Sequence, residues 1–353
     1  MELERVNRLP MLTYRYLKTN DSPLPFRKPE KKAEAVFSDA VYVERGAKLP
    51  EGFTGASEAW KQEALQGERY TVRIPEGVDA SLSIHVTCDS EHPDYAGAFA
   101  FVLEKNAHLQ VIWKWEGTDE EGAATVAASY DLADGAVLHS SHVETGMAEK
   151  ILCFQRYTEV QHSAKAYFAA AELGGDVVIV HSRGFLYGKE SAMHESDLYT
   201  SCGDQHLDLF YHIDHIGEDT ECDIDVKGAM AGESKKVFRG IIDFKRGSAG
   251  AVGSEGDYAI QLSPKTKNIS LPLLLCTEDN VEGNHASSAG QIDQGTIYYL
   301  MTRGFSYEEA RRIVVESLIQ PLIDKLDPSL HEEVIGVVRE KLDEEAKERE
   351  AGK

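Results

Sequence analysis

The stretch "KRGSAGAVGSEGD", residues 245–257, carries glycines at 247, 250, 253 and 256, a period of three. It precedes no helical pattern and lacks the Gly-Lys-Ser/Thr end of a P-loop, so it reads as turns rather than a phosphate cradle. Upstream stands "VFRGIIDFKRG" (237–247). Further back come "GGDVVIVHSRGFLYG" (174–188), "GAATVAASYDLADGAVLHSSHVE" (122–144), "GAFAFVLEKNAHLQVIWKWEG" (97–117) and "YTVRIPEGVDASLSIHVTC" (70–88). Each is a short run of β-branched and aromatic residues closed by Gly, Asp or Asn. No long amphipathic helix separates them, which argues against βαβ units. A sandwich, a barrel or a β-solenoid remains. Regular glycines between strands favour the tight corners of a solenoid, although no strict repeat consensus is visible. In "HLDLFYHID" (206–214) period two places Leu207, Leu209, Tyr211 and Ile213 inward and His206, Asp208, Phe210, His212 and Asp214 outward.

The two ends differ from this middle. Residues 5–32 are punctuated by prolines and read as an extended arm with short helical pieces. "GASEAWKQEALQGE" (55–68) predicts a short helix capped by Ser57 and stopped by Gly67. At the other end Asp293 caps a helix over 294–302, with Gly304 as its stop. Ser306 and Glu309 form a capping box. Ala310, Ile313, Val314, Ser317 and Leu318 make the apolar stripe of the helix that follows, which Pro321 interrupts. Asp327 and Pro328 restart a helix whose stripe is Leu330, Val334, Val337, Val338 and Leu342. The chain thus divides into an N-terminal arm with short helices (1–70), a β core (71–290) and a helical domain (291–353).

Of 353 residues, 37 are basic and 60 acidic, a net charge of −23. Nucleic acid and anionic membrane surfaces need clustered Lys and Arg, so both are excluded as expected partners. No apolar run is long enough to span a bilayer, and the N-terminus has no apolar signal core, so a cytoplasmic location is expected. Cys88, Cys153, Cys202, Cys222 and Cys276 include no CxxC pair. Free thiols are expected rather than a disulfide framework or a zinc ribbon.

The chemistry-bearing candidates are few. His206, Asp208 and His212, with His215 close by, could bind Zn²⁺ or Fe²⁺; the competing reading is a polar solvent face. Cys276 lies in the apolar run "LPLLLCTEDN" and reads as a buried core thiol, or at most an auxiliary iron ligand. His285, in "EGNHASSAGQID" (282–293), sits among Gly283, Asn284, Ala286 and Ser287 at the seam between β core and helices. Its small neighbours leave room for a ligand or partner chain, so a satisfied turn histidine and a metal ligand stay equally open. No nucleophile motif is present, and no carboxylate pair stands out for sugar chemistry.

Several segments together resemble the SufB/SufD family of iron–sulfur cluster assembly proteins. They are "NRLPMLTYRYLKTN" (7–20), "SKKVFRG" (234–240) and, most fully, "PLLLCTEDNVEGNHASSAGQIDQGTIYYLMTRGFSYEEARRIVVESLI" (272–319). The resemblance implies a right-handed parallel β-helix core, a helical C-terminal domain and a small N-terminal α-containing region. It implies a non-catalytic scaffold that pairs with a SufB-like chain, or with itself, and with the SufC ABC-type ATPase. A cysteine desulfurase system is implied as an indirect partner. A transient Fe–S cluster at the subunit interface is implied as cargo, and a reduced flavin at the level of the complex. Ala286 follows the histidine, and Gly256 or Asp257 stands near the place of the SufB cysteine, so the chain looks SufD-like. His285 falls on the family's interface histidine, with Cys276 as auxiliary ligand. The helical region, with Ala310, Ile313, Val314, Ser317 and Leu318, is implied as the ATPase contact. Two other readings stand beside this one: a structural SUF subunit that binds no iron, and a β-solenoid enzyme acting on polysaccharide.

Overall fold

A computed structural model of the chain describes residues 2–11, 18–118 and 120–351. It is a flattened parallel β-helix of two sheets. One sheet stacks β5 (Glu68–Ile74), β7 (Tyr95–Leu103), β9 (Gly122–Leu132), β11 (Lys150–Val160), β13 (Val177–Leu186), β15 (His206–His215), β17 (Lys235–Phe244) and β19 (Lys267–Cys276). The other stacks β6 (Asp79–Cys88), β8 (His108–Gly117), β10 (Val137–Thr145), β12 (Lys165–Glu172), β14 (Ala192–Ser201), β16 (Glu221–Met230), β18 (Val252–Gln261) and β20 (Glu282–Gly290). Each strand therefore pairs with the strand two places on, always parallel within these stacks.

The repeat hidden from the residue pattern is conformational. Left-handed backbone recurs at Gly77, Asn106, Gly135, Ser163, Glu190, Asp219 and Gly250, each 27–31 residues after the last. At these corners the backbone N–H donates to a carbonyl one rung on: Asn106 to Asp134, Gly135 to His162, Ser163 to Lys189, Asp219 to Ala249. Gly, Asn and Asp tolerate this region best, but Ser and Glu also occupy it here, so no single letter marks the corner. The period-three glycines prove heterogeneous. Gly247 and Gly250 turn the corner between β17 and β18, at φ +103° and +81°. Gly253 and Gly256 lie inside β18, where a Cβ on Gly253 would sit 2.9 Å from Ile242 in the narrow interior.

Between the sheets lies the main core, including Val72, Phe99, Phe101, Trp113, Trp115, Tyr130, Leu209 and Phe238. Outside, each sheet is covered. The N-terminal arm pairs β1 (Glu2–Val6) with β2 (Ser22–Phe26) antiparallel. With α1 (Glu58–Leu65), capped by Ser57 as the sequence predicts, it packs Val6, Leu24 and Trp60 on Ile151, Cys153 and Ile179. On the opposite side α3 (Tyr307–Ile323) and α4 (His331–Ala351) pack on Val143, Ala169, Ala171, Leu198 and Ala229. Strands covered on both faces read as continuous apolar runs, as "VVIV" does.

Two expectations are corrected here. Pro321 does not interrupt α3; it sits in the last turn, where Leu322 and Ile323 are fully buried and packing outweighs one lost hydrogen bond. The sheet-facing stripe is Val315, Ile319, Leu322 and Ile323, one residue on from the expected one. Of the residues named from the sequence only Ala310 is buried; Ile313, Val314 and Leu318 are half-buried and Ser317 is exposed. The capping box of Ser306 and Glu309 and the cap of Asp327 on the turn Pro328–Leu330 form as predicted. On α4, Leu330, Val334, Val338 and Leu342 are buried, and Val337 is half-buried.

Acids also lie between the sheets. Glu144 and Glu172 are register partners on β10 and β12, both buried. Burial pushes the Glu144 carboxyl up to about 8, and burial with its neighbour's charge holds Glu172 well above the carboxylate range. The folded chain therefore keeps a proton that the unfolded chain releases above about pH 4.5, so stability falls as pH rises toward 8. Below about pH 6.5 buried His142 and His181, both held near 3 by burial, pull the other way. Between pH 7 and 8 the melting temperature should fall, with unfolding free energy dropping about 1.4 kcal/mol per pH unit per retained proton. Thermal melts of Glu144→Gln should show a shallower slope; an unchanged slope would refute the assignment.

Candidate functional site at the open end of the solenoid

The two ends of the β-helix are finished differently. At the N-terminal end β3 (Ala35–Phe37) and β4 (Val43–Arg45) add antiparallel to β6 and β5. At the C-terminal end β19 and β20 are the outermost strands, and all nine residues of β20 are exposed. An uncovered strand edge presents a row of backbone donors and acceptors for another chain. Next in the chain after β20 comes α2 (Gln294–Thr302), capped by Asp293. Tyr298, 71% exposed, stands on it with Tyr299, Met301 and, just beyond, Phe305 and Tyr307 in solvent. Exposed apolar side chains grouped in this way are a common feature of interaction faces.

Alternation places the inward residues of this end. On β18 the inward set is Gly253, Glu255, Asp257 and Ala259, in register with Cys222, Ile224, Val226 and Gly228 of β16. On β20 it continues as Gly283, His285, Ser287 and Ala289. His285 therefore points into the mouth of the solenoid and is open to solvent only because no further rung covers it. Its Nδ1 lies 3.8 Å from Oε1 of Glu255, and its side chain is 48% exposed. Asp257 is closed off by its buried partner Lys236, whose ammonium also donates to the Tyr199 hydroxyl at 3.1 Å. Deeper in, Arg156 pairs with Glu195 at 2.9 Å, and Tyr211 donates to Asp197. A groove of about 500 Å³ at this end is lined by Glu255 and His285 together with Asp223, Asp225, Lys227, Tyr258, Asn284 and Leu318, so α3 reaches the rim of the same end.

Cys276 departs from its expected burial. It ends β19, is exposed, and its thiol donates to the Glu278 carbonyl at 2.9 Å. Its register partner Phe244 faces Gly283, so Cys276 lies on the opposite sheet, displaced from His285 by one inward position, about 6.6 Å of strand rise. An apolar run ends in solvent here because the rung beyond it is missing. Native-state thiol labelling should therefore modify Cys276 within seconds while buried Cys88, Cys153 and Cys222 resist, and Cys276→Ser should remove that fast phase without lowering the melting temperature. A fast phase that survives the substitution would contradict this placement.

The histidines of β15 do not converge. The expected solvent face is buried under the N-terminal arm. Asp208 accepts from Arg239 and from Asn7, each at 2.7 Å. His215 turns inward, 2.7 Å from the Thr220 hydroxyl and 3.0 Å from the Cys222 sulfur. His212 does meet Asp214 and Asp243, with donor atoms within 4.8 Å of one another. Both carboxylates are already paired, Asp214 with Arg183 and Asp243 with Lys245, so a cation entering here would have to displace two others. Sequence reading passed over Glu255. The signal was present: in "VGSEGDYAIQL" it shares strand parity with Asp257, so a covered strand has two acids facing one side.

The structure is thus a parallel β-helix protein with one end capped and an open mouth that carries imidazole, thiol and carboxylate. The model of the SUF system FeS cluster assembly SufBD core domain matches residues 86–318, and the chain belongs to this family. It is 29% identical over 158 residues to the iron–sulfur cluster assembly protein SufD of Bacillus subtilis, covering 44% of this chain and 36% of that protein. It is 25% identical over 257 residues to a SufBD family protein of Mycobacterium leprae, covering 70% of this chain and 58% of the relative. A Mycobacterium tuberculosis SufBD family protein is 24% identical over 258 residues, with the same coverage. The family is one of iron–sulfur cluster assembly, and the chain spans 36% and 58% of the length of the first two of these relatives. Among the described residues no helix is long and apolar enough to cross a membrane.

Proposed function

We propose that the chain is a non-catalytic scaffold of the SUF machinery whose open C-terminal end pairs with a second β-helix, a SufB-like chain or a second copy. The observation that carries this reading is β20: a nine-residue edge strand, wholly exposed, with His285 as its fourth residue. Docking there satisfies the free backbone groups and covers the aromatic residues of α2. The nascent Fe–S cluster is cargo at the joint. His285 supplies a nitrogen ligand, Cys276 an auxiliary thiolate at the same mouth, and the partner the remaining donors; soft thiolate and borderline imidazole suit iron. Asp257, bound to Lys236, is not free to replace a missing cysteine, which favours a SufD-like role beside a cluster-building partner. The cytoplasm, a cysteine desulfurase as indirect sulfur source and a reduced flavin at the level of the whole complex complete this reading.

The ATPase docks on α3 and α4. With the sheet-facing stripe committed to the core, half-buried Ile313, Val314 and Leu318 form the free shoulder of α3 and supply the anchors, alongside exposed Ser317. Arg311 is not a rim charge: it is buried against Glu345 at 3.1 Å. In a pull-down with the cognate ATPase, Val314→Asp and Leu318→Asp should each weaken binding tenfold or more, and Arg312→Glu less than threefold. Equal retention by all three would place the ATPase elsewhere. For the cluster site, His285→Ala in the purified complex, reconstituted anaerobically, should lose at least half of the retained iron and sulfide. Full retention by an intact complex would leave a structural subunit that binds no iron.

A further inference from the structure

We infer that Glu255 is a second metal ligand beside His285, so that this chain alone holds one divalent iron ion at the open mouth before a partner docks. The inference rests on the reading of His285 as an iron ligand and extends it to a residue on the neighbouring strand.

Glu255 and His285 are register partners on β18 and β20, both directed into the mouth, with Oε1 and Nδ1 3.8 Å apart. Two adjacent donors about 2.1 Å from one octahedral ion stand about 3 Å apart, so a small rotation of either side chain closes the bite. The imidazole is half in solvent and the carboxylate lies beneath it, so an ion arriving through the mouth meets both.

The state of the carboxylate points the same way. Glu255 is 3% exposed, and among the described residues no side chain hydrogen-bonds either oxygen; only the Leu273 backbone stands close. A buried polar group left without a partner costs about 1–3 kcal/mol, and more when charged. The other interior acids of this end avoid that cost: Glu195 holds Arg156 and the Ser182 hydroxyl, Asp197 holds Tyr211, and Asp257 holds Lys236. Glu255 has no such side-chain neighbour; only the His285 imidazole stands near it, at 3.8 Å. Space has been left for it: a Cβ on Gly240, across the interior on β17, would collide with Oε2. A carboxylate kept costly, given room and aimed at an exposed imidazole is explained by a cation that completes its coordination. An oxygen–nitrogen pair suits Fe²⁺, and water or a partner's thiolate fills the remaining positions.

The test uses the purified chain, metal-free and anaerobic, titrated with Co²⁺ as a spectroscopic stand-in for Fe²⁺. The wild-type chain should bind one equivalent with visible d–d bands. Glu255→Gln and His285→Ala should each weaken binding at least tenfold while the melting temperature of the metal-free chain moves by less than about 3 °C. Should the Gln chain not fold, Glu255→Asp serves, with the same tenfold loss expected because the shortened side chain cannot span the bite. Undiminished binding by the folded Glu255 variant overturns the inference and leaves the His285 reading standing. Undiminished binding by His285→Ala removes both. A wild-type chain that binds no Co²⁺ overturns the single-chain site, while cluster retention in the complex tests His285 separately.

Discussion

Replacing Asp208 with Ala should lower the unfolding free energy by about 3–5 kcal/mol, the cost of stranding one member of a buried ion pair. Asp208 and Arg239 are both wholly buried between β15, β17 and the N-terminal arm. The guanidinium spends its other donors on the arm: Nε to the Thr19 carbonyl at 3.0 Å and Nη2 to the Ser22 hydroxyl at 2.9 Å. Asn7 donates to the same carboxylate, at φ +54°. One carboxylate therefore holds a cation and both limbs of the arm to the sheet. Without it the cation remains buried, since Arg cannot shed its proton. Urea denaturation followed by circular dichroism measures the loss. Asp21→Ala is the control, because its partner Arg5 is 72% exposed and such a pair is worth under about 1 kcal/mol. A loss at Asp208 no larger than the control's would show that the arm is held by apolar contacts alone.

Ile319→Asp should be still more damaging, at about 4 kcal/mol or beyond, combining lost packing with a carboxylate forced into an apolar seam. Ile319 is fully buried where α3 lies along the sheet, among Val315, Leu322, Leu198 and Ala229. Its neighbour Leu318 is half-buried at the rim and lines the groove. Leu318→Asp should therefore cost less than about 1 kcal/mol while impairing partner binding. Limited proteolysis distinguishes them: the Ile319 variant should release α3 and α4 to the protease, the Leu318 variant should not. Equal resistance would mean that the helices are held by α4 alone. The same seam makes deletion of everything beyond Gly304 a poor probe of partner binding, because it bares Val143, Ala169, Ala171, Leu198 and Ala229 together.

Much of the fold was legible because strands and caps are local events. Alternation in 206–214 put Leu207, Leu209, Tyr211 and Ile213 in the core, where all four are buried. Ser57, Asp293, Ser306 and Asp327 cap the elements their side chains announce, since a cap needs only a backbone N–H two or three residues away. The succession of short strands without intervening helices determined the mainly β class.

What tertiary structure decided is everything that depends on which surface meets which. The face of Asp208 and Phe210 reads as solvent-facing by alternation, yet Asn7 and Leu9, some 200 positions away in sequence, pack against it. The stripe of α3 is off by one residue because the sheet meets Val315, Ile319, Leu322 and Ile323, and Pro321, a breaker in isolation, is absorbed in the last turn. Cys276 looks buried in its apolar run and is exposed because the stack stops at that rung. His285 was visible from the start as a histidine among small residues. That it points into an open mouth above a buried Glu255 follows from register between β18 and β20, which strand period alone does not set.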